Sequence, residues 1–445
     1  MKKPTSPQIV LLSFLVAILC ATLLLGLPIA TKSGKPLALI DSLFTATSAT
    51  CVTGLVVKDT GSFFSLFGQI VILLFIQLGG LGIMTFSTLF TIIIGRKLSL
   101  SQNLAIKSTL GYSKIAGLKD LVKYIVLITF AVEFIGAALL YVRWSYTTQW
   151  PGALVLKRAV FHSVSAFCNA GFSLFSNSLS GWRADTPIMF IISFLIIIGG
   201  LGFVVILNIP RLKSYKKVNL QTKIVLTATI FLLLIGMAGV FLLENNYALK
   251  NMPAKEKFLS CFFTAVTPRT AGFNVLPTGS LQAATKFLLM MLVFIGASPG
   301  STGGGIKTVT AAVLLIGFFS MLKGRDRIFL FRRTVERDVF RRTVVVFALA
   351  MILIFSSTLL LMVTEKALSG NNDYFLNLFF ETTSAFGTCG LTTGATANLS
   401  TLGKLIIIIT MFLGRVGPLT AVLAIAIRQK QRIDYCYPEE KIMVG

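Results

Sequence analysis

Four stretches decide how this chain folds: FTATSATCVTGL (44–55), FHSVSAFCNAGF (161–172), FFTAVTPRTAGF (262–273) and FETTSAFGTCGL (380–391). They align without gaps. Phe44, Phe161, Phe262 and Phe380 open them, and Gly54, Gly171, Gly272 and Gly390 stand ten residues later. Leu55, Phe172, Phe273 and Leu391 follow each glycine. The glycine-to-glycine spacings are 117, 101 and 118 residues, which is the mark of an internal repeat. Each unit reads apolar span, short helix, glycine-containing loop, second apolar span. The short segments run two to three turns. They are too short to cross a bilayer and suit re-entrant helices. Tight packing between spans would explain one such glycine, but not four in register behind aligned phenylalanines.

The composition around these stretches sets the solvent. The chain has 445 residues, 55% hydrophobic and 13% charged, with 37 Phe and a mean hydropathy of +0.84. Soluble domains carry about 25% charged residues. A soluble enzyme is excluded, and so is a disordered chain. Eight stretches are long enough to span: 9–30, 68–95, 121–142, 187–209, 222–243, 285–322 (interrupted), 343–363 and 402–427. The first runs into Pro28 without a small-residue cleavage site and reads as a true span. The net charge of +25 first suggests a nucleic-acid partner. Topology removes that need. The N-terminus, 96–123, 211–223, 323–342 and the C-terminal tail fall on one side of an eight-span chain. They hold 25 of the 41 basic and 7 of the 16 acidic residues, a net +18. The positive-inside rule makes that side, with both termini, cytoplasmic, and no nucleic acid is expected. The eight basic residues within 323–342 suit anionic membrane lipid or an acidic partner surface.

The expected fold is therefore an all-α polytopic membrane protein. Four span–pore-helix–span repeats, with eight transmembrane helices and four re-entrant loops, surround a pseudo-fourfold central pore. The repeats divide as 1–98 (pore loop 41–58), 99–214 (157–176), 215–324 (255–277) and 325–430 (373–395), followed by a tail, 431–445. Four equivalent loops can turn backbone carbonyls toward an axis, and rings of carbonyls replace the hydration shell of a permeating cation. Glycine supplies the dihedrals this needs. The short helices aim their partly negative C-terminal ends at the same place. The loops contain no carboxylate; Glu381 lies nine residues before Gly390. Neutral oxygens favour a monovalent cation.

The second span of each repeat is interrupted at similar depth: Gly79-Gly80-Leu81-Gly82, Gly199-Gly200-Leu201-Gly202, the run 296–308, and Gly414-Arg415-Val416-Gly417-Pro418. The third is the most informative. Gly296, Ser298, Pro299, Gly300, Ser301, Thr302, Gly303, Gly304 and Gly305 exclude a helix there. A phosphate-binding loop would need Gly directly before Lys; Ile306 separates Gly305 from Lys307. The expected role is a gate below the filter, with a passive helix break as the plain alternative. Arg415, a charge in mid-span, is a functional candidate by position. It could face the pore, hold the gate through carbonyl contacts, or pair with Glu133. Glu133 receives no role, and His162 reads as a packing residue. The six cysteines show no metal or disulfide spacing, and nothing marks an enzyme.

The units carrying Val52-Thr53-Gly54, Asn169-Ala170-Gly171, Thr270-Ala271-Gly272 and Thr388-Cys389-Gly390 resemble the Trk/Ktr/HKT potassium-transporter superfamily, nearest to its bacterial Ktr branch. The resemblance covers nearly the whole chain. It implies that these twelve residues form a K⁺ selectivity filter of backbone carbonyls. It also implies an intramembrane gating loop in the third repeat, a homodimer, and a separate cytoplasmic KtrA-like ring of RCK-type domains. Nucleotide (ATP or ADP) would bind that partner only, and no cofactor would bind this chain. Within the family, glycine in all four repeats goes with potassium selectivity, and serine in the first with sodium permeability. Conduction down the gradient is the first reading, because the repeats are parallel and intramembrane acids are few. A Na⁺- or H⁺-coupled K⁺ symporter using the same filter is the alternative.

Overall fold

The computed structural model describes residues 6–82, 118–209, 218–325, 327–365 and 373–426. The far half of the expected span 68–95, most of the basic segments and the tail 431–445 lie outside the described residues.

Four units follow one another along the chain. The first holds α1 (Ser6–Gly26), α2 (Leu39–Thr50), a single turn α3 (Thr60–Phe63) and α4 (Leu66–Leu81). The second holds α5 (Leu118–Thr147), α6 (Gly152–Phe167), α7 (Thr186–Leu201) and α8 (Phe203–Asn208). The third holds α9 (Leu220–Glu244), α10 (Ala254–Val266), α11 (Ala283–Phe294) and α12 (Thr308–Leu322). A small antiparallel hairpin, β1 (Ile328–Leu330) and β2 (Arg333–Val335), leads to the fourth: α13 (Arg337–Thr364), α14 (Tyr374–Gly387), α15 (Thr401–Val416) and α16 (Pro418–Ala426).

The leading helix of each unit is long and apolar enough to cross a membrane: Pro7–Gly26, Val122–Thr147, Leu220–Glu244 and Arg337–Thr364, with mean hydropathy between 2.4 and 2.8. Only 28–33% of their most apolar windows is buried. Leu23, Phe134 and Leu242 are all more than 70% exposed. So much unpartnered apolar surface fits a lipid surrounding, not water.

The short helices are longer than the apolar signal suggests. They run 12, 16, 13 and 14 residues. Their opening turns mix polar and apolar residues, so hydropathy sees only the buried C-terminal part. Phe44, Phe161 and Phe380 are buried as expected. In the third unit the fully buried ring is Phe263, with Phe262 only half-buried. The cause is a tighter turn after the helix. The amides of Thr53, Ala170 and Cys389 donate back five residues, to the carbonyls of Ser48, Ser165 and Ser384. Ala271 donates back four, to Thr267 (2.9 Å). The third loop is one residue shorter there, and the buried phenylalanine moves one place nearer its glycine.

The units pack in a ring. The second helix of each lies on the short helix of the next: α4 on α6, α7 on α10, α11 on α14, and α15 back on α2. At the first seam Gly80 meets Cys168 of the next unit, and within each unit Gly79, Gly199 and Gly414 sit against the carbonyls of Thr50, Phe167 and Phe386, at the C-terminal ends of their own units' short helices. Backbone oxygens cannot rotate away from an added methyl. Glycine at these positions is therefore demanded by approach distance, against its poor helix propensity.

Gly199→Ala should accordingly destabilise the protein by roughly 1–3 kcal/mol through overpacking, although alanine is the better helix former. A thermal melt in detergent checks it: an unchanged or raised midpoint would mean that propensity, not contact, governs the site.

Candidate ion pathway

Each short helix ends in a backbone of alternating sign. Val52, Asn169, Thr270 and Thr388 have φ of +57°, +57°, +68° and +48°, and the glycines two residues on, Gly54, Gly171, Gly272 and Gly390, have +89°, +71°, +77° and +88°. The residues between them, Thr53, Ala170, Ala271 and Cys389, are not in the left-handed region. Left-handed φ costs a non-glycine residue about 1–2 kcal/mol, so this strain is held by its surroundings. Those surroundings are the helix ends themselves. The amides of Val52, Asn169 and Thr388 donate to Ala49, Ala166 and Ala385, each at 3.1 Å. Most of the loops' donors are thus turned back onto the helices.

The glycines close a ring. A Cβ on Gly171 would stand 2.9 Å from the Ala271 carbonyl and 3.0 Å from Gly272 Cα. Gly54 meets the Ala170 carbonyl, Gly272 that of Cys389, and Gly390 that of Thr53. Each glycine thus abuts the carbonyl that precedes the glycine of the next unit, in the order 1, 2, 3, 4, 1. No side chain fits at any of the four. All four glycines line a single cavity of about 440 Å³, whose other walls include Ser173, Asn177, Ser178, Asn274 and Thr392. Asp59 also lines it and is its one carboxylate. Its oxygen caps α3 by accepting from the Ser62 amide at 2.6 Å.

The loops behind the ring are strutted by the short helices. The Ser48 hydroxyl accepts from the Gly54 amide (3.0 Å), and Ser165 donates to the Phe172 carbonyl (2.7 Å). Glu381, fully buried, accepts from the Thr392 hydroxyl (2.7 Å), from the Thr393 amide and hydroxyl (2.8 and 3.0 Å) and from Thr396. His162 occupies the matching place in the second unit. Its Nδ1 bonds the Arg158 carbonyl (2.8 Å), and its Nε2 meets Ser173 Oγ (3.1 Å) and the Leu174 amide (3.4 Å). These acceptors face the chain just beyond the glycines, not the ring.

The run 296–308 lies on the other side of the ring, against residues two before the glycines. The Gly304 amide donates to Thr388 Oγ1 at 3.0 Å, and Gly303 packs on Thr270. The Ser298 and Thr302 amides donate to the Gly200 and Gly199 carbonyls (3.1 and 3.3 Å), and the Phe203 amide donates to Gly300 (3.0 Å). Lys307 Nζ donates to the Gly303 carbonyl at 2.6 Å and folds the loop on itself. Pro299 approaches Gly202 through its carbonyl, Ser301 Oγ donates to the Ser298 carbonyl (2.6 Å), and Gly305 rests 3.2 Å from Gly387 Cα by its Cβ direction. Gly296 packs against Gly304. Arg415 completes the assembly. Its two terminal nitrogens donate to the carbonyls of Thr302 and Gly79. A side chain of the fourth unit thereby ties the third unit's loop to the break in the first unit's helix. It makes no pair with Glu133, which accepts from Gln77 Nε2 (3.1 Å) and lies 3.7 Å from Cys168 Sγ.

The structure therefore brings the four loops that carry these twelve residues together and packs the run 296–308 against them. Asp59, Glu381 as a strut, and the left-handed conformation of Val52, Asn169, Thr270 and Thr388 escaped the sequence reading, which names those four as filter residues. Glu381 and the three threonines fifteen or fewer residues on were the only visible hint.

With the geometry in place, the relationship is direct. Residues 4–434 match the TrkH family, described as cation transport protein, and the chain belongs to that family. It is a multi-pass membrane cation transporter and not an enzyme. It is 40% identical to the Ktr system potassium uptake protein B of Bacillus subtilis over 443 residues, covering 99% of this chain and 97% of that one. It is 39% identical to the protein of the same name from Vibrio alginolyticus, covering 100% and 96%. It is 38% identical to the potassium/sodium uptake protein NtpJ of Enterococcus hirae, covering 100% and 98%. The crystal structure of the potassium transporter TrkH from Vibrio parahaemolyticus shares the fold, with a TM-score of 0.75 at 19% identity, covering 96% of this chain and 86% of that one.

Arg415→Gln should release the Thr302 and Gly79 carbonyls. Charged hydrogen bonds stabilise by more than neutral ones, so amide hydrogen exchange across 300–305 should quicken by roughly tenfold or more. Unchanged exchange would mean that the loop is held without the arginine.

Proposed function

We propose that this chain is the pore-forming subunit of a K⁺ uptake system in the cell membrane. Monovalent cations pass through a filter of backbone carbonyls from Val52, Thr53, Gly54, Asn169, Ala170, Gly171, Thr270, Ala271, Gly272, Thr388, Cys389 and Gly390. The observation that carries the proposal is the closed ring: four left-handed glycines, each seated on its neighbour's carbonyl, at the floor of one polar cavity. Carbonyl dipoles with four helix C-termini behind them favour a cation, and with only backbone oxygen at the ring the preference is for a monovalent one.

In this reading α1, α5, α9 and α13 are the first spans of four repeats. The broken pairs α7–α8, α11–α12 and α15–α16, with α4 and its continuation, are the second spans. Both termini are cytoplasmic, and the cavity with Asp59 faces outside. Loop 296–308 blocks the path below the filter, and Arg415 holds it shut. The names of the relatives above, parts of a Ktr system for potassium uptake, support K⁺ as cargo. The word system in those names also supports an assembly with other subunits; in this reading that assembly is a homodimer of this chain on a cytoplasmic RCK-type ring, which would supply the nucleotide-dependent input. The relative named for potassium and sodium uptake keeps a coupled symporter as the second reading.

Flux of Rb⁺ into proteoliposomes holding the full chain tests these points. Gly272→Asp should abolish selective Rb⁺ uptake while membrane insertion persists; retained selectivity would remove the filter assignment. Deleting two or three residues within 298–305 should raise flux severalfold in folded protein, and equal or lower flux would count against a gate. Uptake that proceeds only with an imposed Na⁺ or H⁺ gradient would replace the channel-like reading with symport.

A further inference from the structure

Three of the four seams between units are pinned alike. A cation at the start of the second helix pairs with an acid at the start of the next short helix. Arg183 meets Glu256 (3.4 Å), Lys286 meets Asp373 (3.3 Å) and Lys404 meets Asp41 (2.7 Å). The seam between units 1 and 2 has no such pair among the described residues. The first turns of α4 and α6 carry no charge, and the charges that oppose each other there, Lys32 and Lys157, are both positive. Further along the same helices this seam has a groove of about 630 Å³ between α4, α5 and α6.

The groove opens where the leading helices show their apolar faces. Leu74, Leu127, Phe130 and Phe134 line it and are 53–75% exposed. Gln77 and Glu133 form its polar end. Glu133 is 5% exposed and takes part in none of the ion pairs among the described residues. A buried carboxylate is strongly disfavoured without a positive partner, and an amide and a thiol are weak substitutes.

We propose that this groove is a lateral binding site for a hydrophobic ammonium ion, an amphiphilic amine arriving through the lipid, with Glu133 as its counter-ion. Charge complementarity selects the occupant. An acyl chain alone would fill the apolar wall and leave the carboxylate as it is. A small inorganic cation would not cross the apolar mouth. An ammonium with apolar arms satisfies both, and the faces of Phe130 and Phe134 attract such a cation. Occupancy reaches the ring as well. Drawing Glu133 toward the amine removes one of the two acceptors near Cys168, the other being Gln77 Oε1 (3.5 Å); Cys168 precedes left-handed Asn169, and Gly80 packs directly on its sulfur.

The test uses the full chain in zwitterionic vesicles and two photoreactive probes: a diazirine-bearing alkyltrimethylammonium and its uncharged tert-butyl isostere. The charged probe should label groove residues of α4 and α5 about tenfold more than the isostere, as a charged contact in apolar surroundings implies. Glu133→Gln should erase that preference. Leu74→Trp, which fills the groove with Glu133 intact, should lower labelling by both probes. Equal labelling by the two probes would mean that the groove holds acyl chains only, and overturns the proposal. So would an undiminished preference in Glu133→Gln, or cross-links showing a second copy of the chain over Leu127 and Phe134. Labelling does not depend on ion flux, so this proposal and the pore reading fail separately.

Discussion

The contact on which the rest of the structure depends is the seat of each loop glycine on its neighbour's carbonyl. Two constraints meet there. The backbone has a φ that side chains rarely tolerate, and the space a Cβ would occupy holds the next unit's main chain. Neither constraint alone requires glycine so firmly. Together they fix how near the four units come, and that distance sets what lies behind them. The second helices must approach the short-helix ends closely, which is why Gly79, Gly199 and Gly414 recur at the same depth. The strained residues before the ring persist because the short helices have already claimed their amides.

Arg415 shows how a buried cation is made tolerable without an acid. A charge at membrane depth is disfavoured unless it is hydrogen-bonded. The Gly79 carbonyl, at the end of α4, accepts only a turn bond from the Gly82 amide (3.2 Å), and Thr302 lies in an irregular run outside any helix. One guanidinium answers both, and in doing so links units 4, 3 and 1. The run also bonds Gly199 and Gly200 in unit 2. The irregular segment thus touches units 2 and 4 directly, and Arg415 connects it to unit 1. Lys307 acts within the segment, closing it on Gly303.

The repeat, the ring glycines and the interrupted third span were legible in the sequence because residue type and dihedral coincide at glycine. The left-handed residues two places earlier were not. Val52, Asn169, Thr270 and Thr388 belong to three residue types with no shared preference for a left-handed φ, so only the geometry of the preceding helix end makes them equivalent. The gapless alignment misplaced Phe262 for a related reason: a turn shorter by one residue leaves the sequence count unchanged while shifting the helix phase. The seam pair Lys404–Asp41 spans 363 positions, and no local pattern announces it. Glu381 was visible as a lone acid near a filter, but its partners come from a loop whose path the sequence does not dictate.

The four units are most alike at the ring. There each offers a left-handed residue and, two places on, a left-handed glycine. One shell out, each unit departs in its own way. Unit 3 has a longer irregular run, 296–308, where the others have a short break; unit 4 contributes the arginine that bonds it. Unit 2 uses His162 where unit 4 uses Glu381, and among the described residues the seam between units 1 and 2 has no ion pair and an apolar groove. Four identical chains could not do this, since any change would be made four times. A single chain with internal repeats can keep the ring regular and assign a different task to each position around it. The distribution of charge follows the same logic. The ring carries none, and the buried ions stand behind it, one per task, where a fourfold copy would place like charges in a common low-dielectric space.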